Sequence, residues 1–174
     1  MGNDLFAYLD LLELMAFFSG YPLIYTIIHF AAGKPSSRPA FKKQLIALLP
    51  FSYAVLATLY MGLQLRNMWP DYSWSSFSML LKYSLLKVWG LLGLLFWIPF
   101  LNKKPILSLL HSLVFFFFLL KDILDHNSRN GSSNIKNDMK IYTDSLLLNT
   151  IVFVAIAILY SLWSKHFKNK ASTH

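Results

Sequence analysis

The chain of 174 residues contains no cysteine and few charged residues. Without cysteine it can form no disulfide bond, thiolate nucleophile, zinc–thiolate site or iron–sulfur cluster. Charged residues make up 14% of the sequence and hydrophobic residues 56%, against about 25% and about 45–50% in soluble domains. Because so short a chain has little interior in which to bury this excess, the composition predicts an integral membrane protein.

The sequence also lacks the short motifs that mark common enzyme sites. It has no His-Glu-x-x-His helix, no Gly-x-Ser-x-Gly elbow and no glycine-rich phosphate loop. Asp122 and the Asp125-His126 pair are better explained as a solvated helix end than as a metal–phosphate site. Enzymatic activity is therefore uncertain, the absences favour a non-enzymatic protein, and the sequence predicts neither catalytic residues nor a metal site.

Long apolar segments are what the sequence does contain. A membrane-spanning helix needs about 20 mostly apolar residues, and five stretches meet this requirement. They are apolar nearly all the way round, which predicts an all-α, polytopic bundle of transmembrane helices in one domain, 1–174. The alternative count is four, if the third and fourth segments form a hairpin that does not fully cross. The predicted spans are 5–32, 44–65, 76–101, 105–124 and 141–163, with a mobile polar loop at 125–140.

The distribution of charge predicts the orientation of the bundle. With five spans, nine Lys and Arg residues fall on one side and four on the other, so the positive-inside rule places the N-terminus outside and the C-terminus in the cytoplasm. Every acidic residue then falls in the outer half. The nine basic residues of the inner side are Lys34, Arg38, Lys42, Lys43, Lys103, Lys104, Lys165, Lys168 and Lys170.

A few ionisable and polar residues lie within the predicted spans, and such residues are costly in a bilayer unless they meet a partner or water. They share the outer half of three segments. One interpretation is a buried ion-pair network that fixes helix register. The other is a hydrated vestibule or ion pathway that opens to the outside. The residues are Asp10 and Glu13 in the first segment, Lys82 and Lys87 in the third, and Asp144 and Asn149 in the fifth.

Two histidines lie in the inner half of the predicted spans, His29 in the first and His111 in the fourth. Two imidazoles from different helices at equal depth are the axial ligands that a b-type haem requires. The alternative is that His29 lies at the interface and that His111 forms hydrogen bonds within its own helix face, with Ser108 and Ser112.

Helix irregularities and polar rows give further expectations. Gly20 and Pro22 predict a break near the middle of the first span, since proline removes a backbone donor. A row of Tyr21, Tyr25 and His29 follows the break, and the second span has a similar row of Tyr53, Tyr60 and Gln64. The helix faces that carry the two rows are expected to point inward or toward another subunit. The run Phe115–Phe118 is expected to face lipid, and Gly90 and Gly93, three apart, do not form the GxxxG spacing of close helix pairs.

The favoured function is a non-enzymatic, oligomeric pore, transport or membrane-effector module in the cell membrane, with the polar residues of the outer half along its ion pathway. One alternative is a haem-b redox subunit that uses His29 and His111. Another is a scaffold or assembly subunit of a larger membrane complex. The expected partners are the lipid bilayer and either further copies of the chain or another membrane subunit. Nucleic acid is not expected, because the basic residues mostly mark loops between apolar segments.

Overall fold

The computed structural model describes residues 14–31, 40–70, 72–73, 85–129 and 133–171. These residues are helical or connect helices, and no strand occurs among them, which confirms the all-α prediction. Helical turns over 14–18 lead through Ser19 and Gly20 into the first helix. In chain order the helices are α1 (Tyr21–Ala31), α2 (Ala40–Asn67), α3 (Leu85–Leu92), a 3₁₀ segment (Gly93–Trp97), α4 (Pro99–Asn102), α5 (Pro105–Arg129) and α6 (Ser133–Ala171).

Three helical stretches in the described residues are long and apolar enough to cross a membrane. They are Leu14–Ala31, Lys42–Asn67 and Met139–Ser164, of 18, 26 and 26 residues. At about 1.5 Å per residue these lengths correspond to about 27 and 39 Å, close to or above the roughly 30 Å hydrocarbon core of a bilayer. They coincide with the predicted first, second and fifth spans, although residues 5–13 and 32 of the first lie outside the described part of the chain.

The predicted third and fourth spans correspond to shorter apolar helices, Leu85–Trp97 and Pro105–Lys121. The predicted third span is divided after Trp97, because Pro99 has no N–H to donate and forces the preceding residue out of helical geometry. Ile98 accordingly has an extended conformation, with φ −70° and ψ 125°, and α4 begins at Pro99. Residues 76–84 of the predicted third span lie outside the described residues. We call the unit formed by Leu85–Trp97, α4 and Pro105–Lys121 the short hairpin.

Side-chain contacts establish the directions of the helices. Lys42 donates a hydrogen bond to the carbonyl of Ala31, so α1 ends where α2 begins. We call this the basic end of the bundle, and the end at Leu14, Asn67 and Met139 the acidic end. Trp97 bonds to Thr58 while Gly90 lies against Tyr60, so the first arm of the short hairpin runs antiparallel to α2.

The turn of the short hairpin points toward the basic end. His111 bonds to Tyr53, which follows Lys42 by eleven residues, or about 16 Å of helix. Pro105 precedes His111 by six residues, or about 9 Å. For helices that run side by side, Pro105 therefore lies about 7 Å from the level of Lys42.

Helix α5 and helix α6 include most of the stretch predicted to be a loop. Residues 125–129 belong to α5 and 133–140 to α6, so the predicted loop at 125–140 is too long. The physical reason is that helix propagation costs little once an apolar segment has nucleated it, so asparagine and serine near its ends do not stop it.

The core between the helices is rich in aromatic side chains. Phe18 stacks on Phe115 with ring centroids 4.8 Å apart, and Tyr21 packs on Tyr53 at 4.6 Å. Phe115 is fully buried, so its predicted lipid exposure is wrong, whereas Phe117 and Phe118 are exposed as expected. The predicted inward row of Tyr53, Tyr60 and Gln64 on α2 is confirmed, since all three side chains are buried.

Candidate functional site

The first apolar helix is interrupted at Gly20, and the interruption is bridged by α6. The Gly20 N–H donates to Ser145 Oγ at 2.9 Å instead of to the carbonyl one turn earlier. Asn149 Nδ2, one turn further along α6, donates to the Phe17 carbonyl at 2.9 Å and to the Ser145 carbonyl at 2.8 Å. Two backbone groups at the break are thus paired by two side chains of α6, as the lack of water in a bilayer requires.

Close approach of the two backbones makes this bridge possible. A Cβ atom placed on Gly20 would lie 2.7 Å from the backbone nitrogen of Leu146 and 2.8 Å from the backbone carbon of Ser145. Such distances are far below van der Waals contact, so only glycine fits at this crossing. Pro22 lies in the first turn of α1, where its missing N–H has no helical partner to lose.

Two buried amide side chains have one polar atom each without a hydrogen-bond partner among the described residues. They are Asn149, through Oδ1, and Gln64, through Nε2. Their side chains are 2% and 3% exposed. Removing such a group from water without a new partner costs about 2–7 kcal/mol, so each atom requires a water molecule, an ion or a polar partner.

Gln64 lies toward the acidic end of the bundle, on the buried face of α2. It follows Tyr60 by four residues, and the ring of Tyr60 packs on Phe17, whose carbonyl accepts the bond from Asn149. Lys87 is half-buried in α3 and precedes Gly90, which itself lies against Tyr60. The two amides and Lys87 therefore occupy the same half of the bundle.

The predicted charged network is only partly within the described residues. Asp10, Glu13 and Lys82 lie outside them. Asp144 is exposed on α6, five residues before Asn149 toward the acidic end, and Lys87 is half-buried. Whether these charges form a network stays a prediction.

His111 is the centre of a second buried polar cluster. Its Nδ1 lies 2.6 Å from the Tyr53 hydroxyl, and its Nε2 lies 2.8 Å from the Trp89 carbonyl. Because a carbonyl can only accept, Nε2 carries a proton, and in the neutral ring the Tyr53 hydroxyl donates to Nδ1. The indole of Trp89 stacks on the imidazole at 4.9 Å and donates to the His111 carbonyl at 3.2 Å.

The partners of His111 bear on the two interpretations of the histidines. The expected hydrogen bonds with Ser108 and Ser112 are replaced by bonds to other helices, and Ser108 instead pairs with the Tyr21 hydroxyl at 2.8 Å. His29 is exposed and its ring stacks on Tyr25 at 5.8 Å. Both ring nitrogens of His111 have protein partners, so an iron ligand there would have to displace one of them. Haem binding stays a prediction.

Several residues of these clusters were not anticipated from the sequence. Gly90 and Gly93 do allow close packing, since a Cβ on Gly90 would lie 2.7 Å from Leu14 and one on Gly93 would lie 2.9 Å from Ala57. A spacing of three puts both glycines within about 60° on one helix face, so a GxxxG spacing was not needed. Trp89 and Ser145 were not singled out from the sequence, because neither residue belongs to a motif and their partners are distant in the chain.

No group of three or more His, Asp or Glu side chains suited to a metal ion occurs among the described residues. Comparison with known protein families, with curated proteins and with solved structures finds no match. The class of the protein therefore rests on its own physical features. Three apolar helices of membrane-spanning length, joined by two shorter ones, make the chain a small multi-pass membrane protein.

Proposed function

We propose that the chain is a non-enzymatic transport or pore module that works as an oligomer in the cell membrane, with a hydrated polar vestibule in its outer half. The observation that carries the proposal is the buried, unpaired Oδ1 of Asn149 in the middle of a membrane-spanning helix. Gln64 Nε2 supplies a matching donor in the same half of the bundle.

The energetics favour water or an ion at these atoms. An unpaired amide atom costs about 2–7 kcal/mol, whereas an ordered water costs at most about 2 kcal/mol of immobilisation. The two atoms have opposite character, an acceptor on Asn149 and a donor on Gln64, so water can satisfy both. Lys87 and Asp144 lie toward the acidic end, and the sequence positions of Asp10, Glu13 and Lys82 extend this polar path toward the outer surface.

The proposed topology combines three crossing helices with the short hairpin. The N-terminus lies outside, α1 and α6 end at the cytoplasmic side, and the hairpin enters from the outer side with its turn short of the inner surface. Lys103, exposed near this turn, extends its charged end toward the inner headgroups, while Lys104 Nζ lies 4.5 Å from the centroid of the Phe100 ring. This arrangement keeps the orientation that five full spans imply. A hairpin returns the chain to the side from which it entered, as two full crossings would.

Ion flux into liposomes tests the proposed activity. We expect purified protein in liposomes to conduct K⁺ or Cl⁻ above empty vesicles, and Gln64→Leu to lower that flux at least tenfold, because leucine keeps the side-chain volume but removes the polar atoms. The flux is measured under imposed gradients of each ion with a fluorescent indicator inside the vesicles.

The matched control is Thr150→Val on the exposed side of α6, where the hydroxyl bonds only to the Leu146 carbonyl. This variant is expected to conduct like the wild type. Wild-type vesicles that leak no more than empty ones under every gradient would contradict the proposed function, as would a Gln64→Leu variant with unchanged flux.

A further inference from the structure

An apolar groove lies between α2 and α6, in the halves of these helices toward the basic end. Its volume is about 520 Å³, within the range of roughly 300–1,000 Å³ that small-ligand sites occupy. The groove is lined by Leu48, Phe51, Ile156, Leu159, Tyr160 and Trp163.

The lining changes character along α6. Ile156 and Leu159 are aliphatic and lie deeper in the bilayer, whereas Tyr160 and Trp163 lie nearer the basic end. Tyrosine and tryptophan combine an apolar ring with a polar group and are enriched at the level of lipid headgroups. The groove therefore has an aliphatic inner part and an aromatic mouth, which is the polarity profile of one lipid chain below its glycerol.

The charged residues nearest the mouth in the sequence are all basic. Lys43 is exposed on α2, five residues or about 7 Å of helix before Leu48. On α6, Lys165, Lys168 and Lys170 follow Trp163. No Asp or Glu occurs in residues 14–70 or 145–174, so neither helix carries an acidic residue near the groove.

We propose that this groove binds one acyl chain of an anionic phospholipid, whose phosphate is held by Lys43. The apolar lining supplies the affinity for the chain, and Lys43 supplies the preference for an anionic headgroup. Lys42 serves a different purpose, since its ammonium group bonds to the Ala31 carbonyl.

Quenching of Trp163 fluorescence by brominated lipid tests the proposal. The protein is placed in phosphatidylcholine vesicles that contain a rising fraction of either dibrominated phosphatidylglycerol or dibrominated phosphatidylcholine. The difference between the wild type and Trp163→Phe isolates the signal of Trp163 from that of the other tryptophans. We expect half-maximal quenching of this signal at about a fivefold lower fraction of the anionic lipid, since one lysine near a headgroup favours it by about that factor.

Three variants separate the groove from general surface charge. Lys43→Gln is expected to remove most of the preference for phosphatidylglycerol, while Lys103→Gln, an exposed lysine on the short hairpin, keeps it. Ile156→Phe fills the groove and is expected to weaken quenching by both lipids. Equal quenching by the two lipids in the wild type would overturn the proposal, and so would an equal loss of preference in Lys43→Gln and Lys103→Gln.

Discussion

Replacing Gly20 by alanine is expected to lower the free energy of unfolding by about 2–3 kcal/mol, a large effect for one added methyl group. The new Cβ would lie 2.7 Å from the backbone nitrogen of Leu146, and backbone atoms cannot rotate out of the way as a side chain can. Helix α6 must move away, which lengthens the bonds from Gly20 to Ser145 and from Asn149 to Phe17. The loss is measured by unfolding in mixed micelles with increasing dodecyl sulfate, followed by circular dichroism.

Gly62→Ala is the matched control for this substitution. Gly62 lies within α2, and a Cβ placed on it meets nothing within 4 Å. Since alanine favours helix over glycine by about 0.8–1.0 kcal/mol, this variant is expected to be unchanged or slightly more stable. If Gly20→Ala proved as stable as Gly62→Ala, the close crossing of α1 and α6 would be wrong.

Replacing His111 by alanine is expected to cost about 3 kcal/mol of unfolding free energy. The substitution leaves the Tyr53 hydroxyl and the Trp89 carbonyl without their present partner and opens a cavity beside the indole of Trp89. The same titration in mixed micelles measures the effect. A double-mutant cycle of Tyr53→Phe with His111→Phe isolates the bond between the two side chains, which we expect to contribute about 1 kcal/mol.

His29→Ala supplies a control of the same residue type. His29 is exposed and its ring stacks on Tyr25, so removing it opens no cavity in the core and is expected to lower the free energy of unfolding much less than removing His111. Equal destabilisation by the two histidine substitutions would remove the central role assigned to His111.

The sequence predicts the long helices, the break at Gly20 and the inward row on α2 because each has a local cause. A run of apolar residues, a Gly-Tyr-Pro segment and polar side chains spaced by a helical turn act through nearby residues alone. Tyr53 and Gln64 could be assigned to a buried face because they are polar in an otherwise apolar helix.

The direction in which apolar side chains point could not be predicted in the same way. Lipid and protein core are both apolar, so a helix that is apolar all round gives no periodic signal for its buried face. Phe115 is buried and Phe117 exposed within one run of four phenylalanines, and only tertiary packing distinguishes them.

The partners of the buried polar groups were also beyond reach of the sequence. Tyr53 and His111 are separated by 58 residues, and Gly20 and Ser145 by 125. Polar residues in spans indicate that partners exist, but the choice among helices depends on how these pack. Ser145 is identified as a partner of Gly20 only by the packing of α6 on α1, and Trp89 as a partner of His111 only by the packing of α3 on α5.

Thiol accessibility of Asn149→Cys measures the hydrated vestibule most directly, and the absence of native cysteine leaves the introduced thiol as the only one. The matched control is Leu147→Cys, two residues away on α6, where the side chain is 60% exposed on the outside of the bundle. The proposed topology puts residue 132 outside and residue 37 in the cytoplasm, so Ser132→Cys and Ser37→Cys serve as markers of the two sides.

With a small charged methanethiosulfonate applied to intact cells, we expect Ser132→Cys and Asn149→Cys to react, Ser37→Cys to react only after permeabilisation, and Leu147→Cys to react at least tenfold more slowly than Asn149→Cys. That result requires water inside the bundle at the level of Asn149 and lipid outside it. An Asn149→Cys variant that stays unmodified while Ser132→Cys reacts fully would contradict the vestibule.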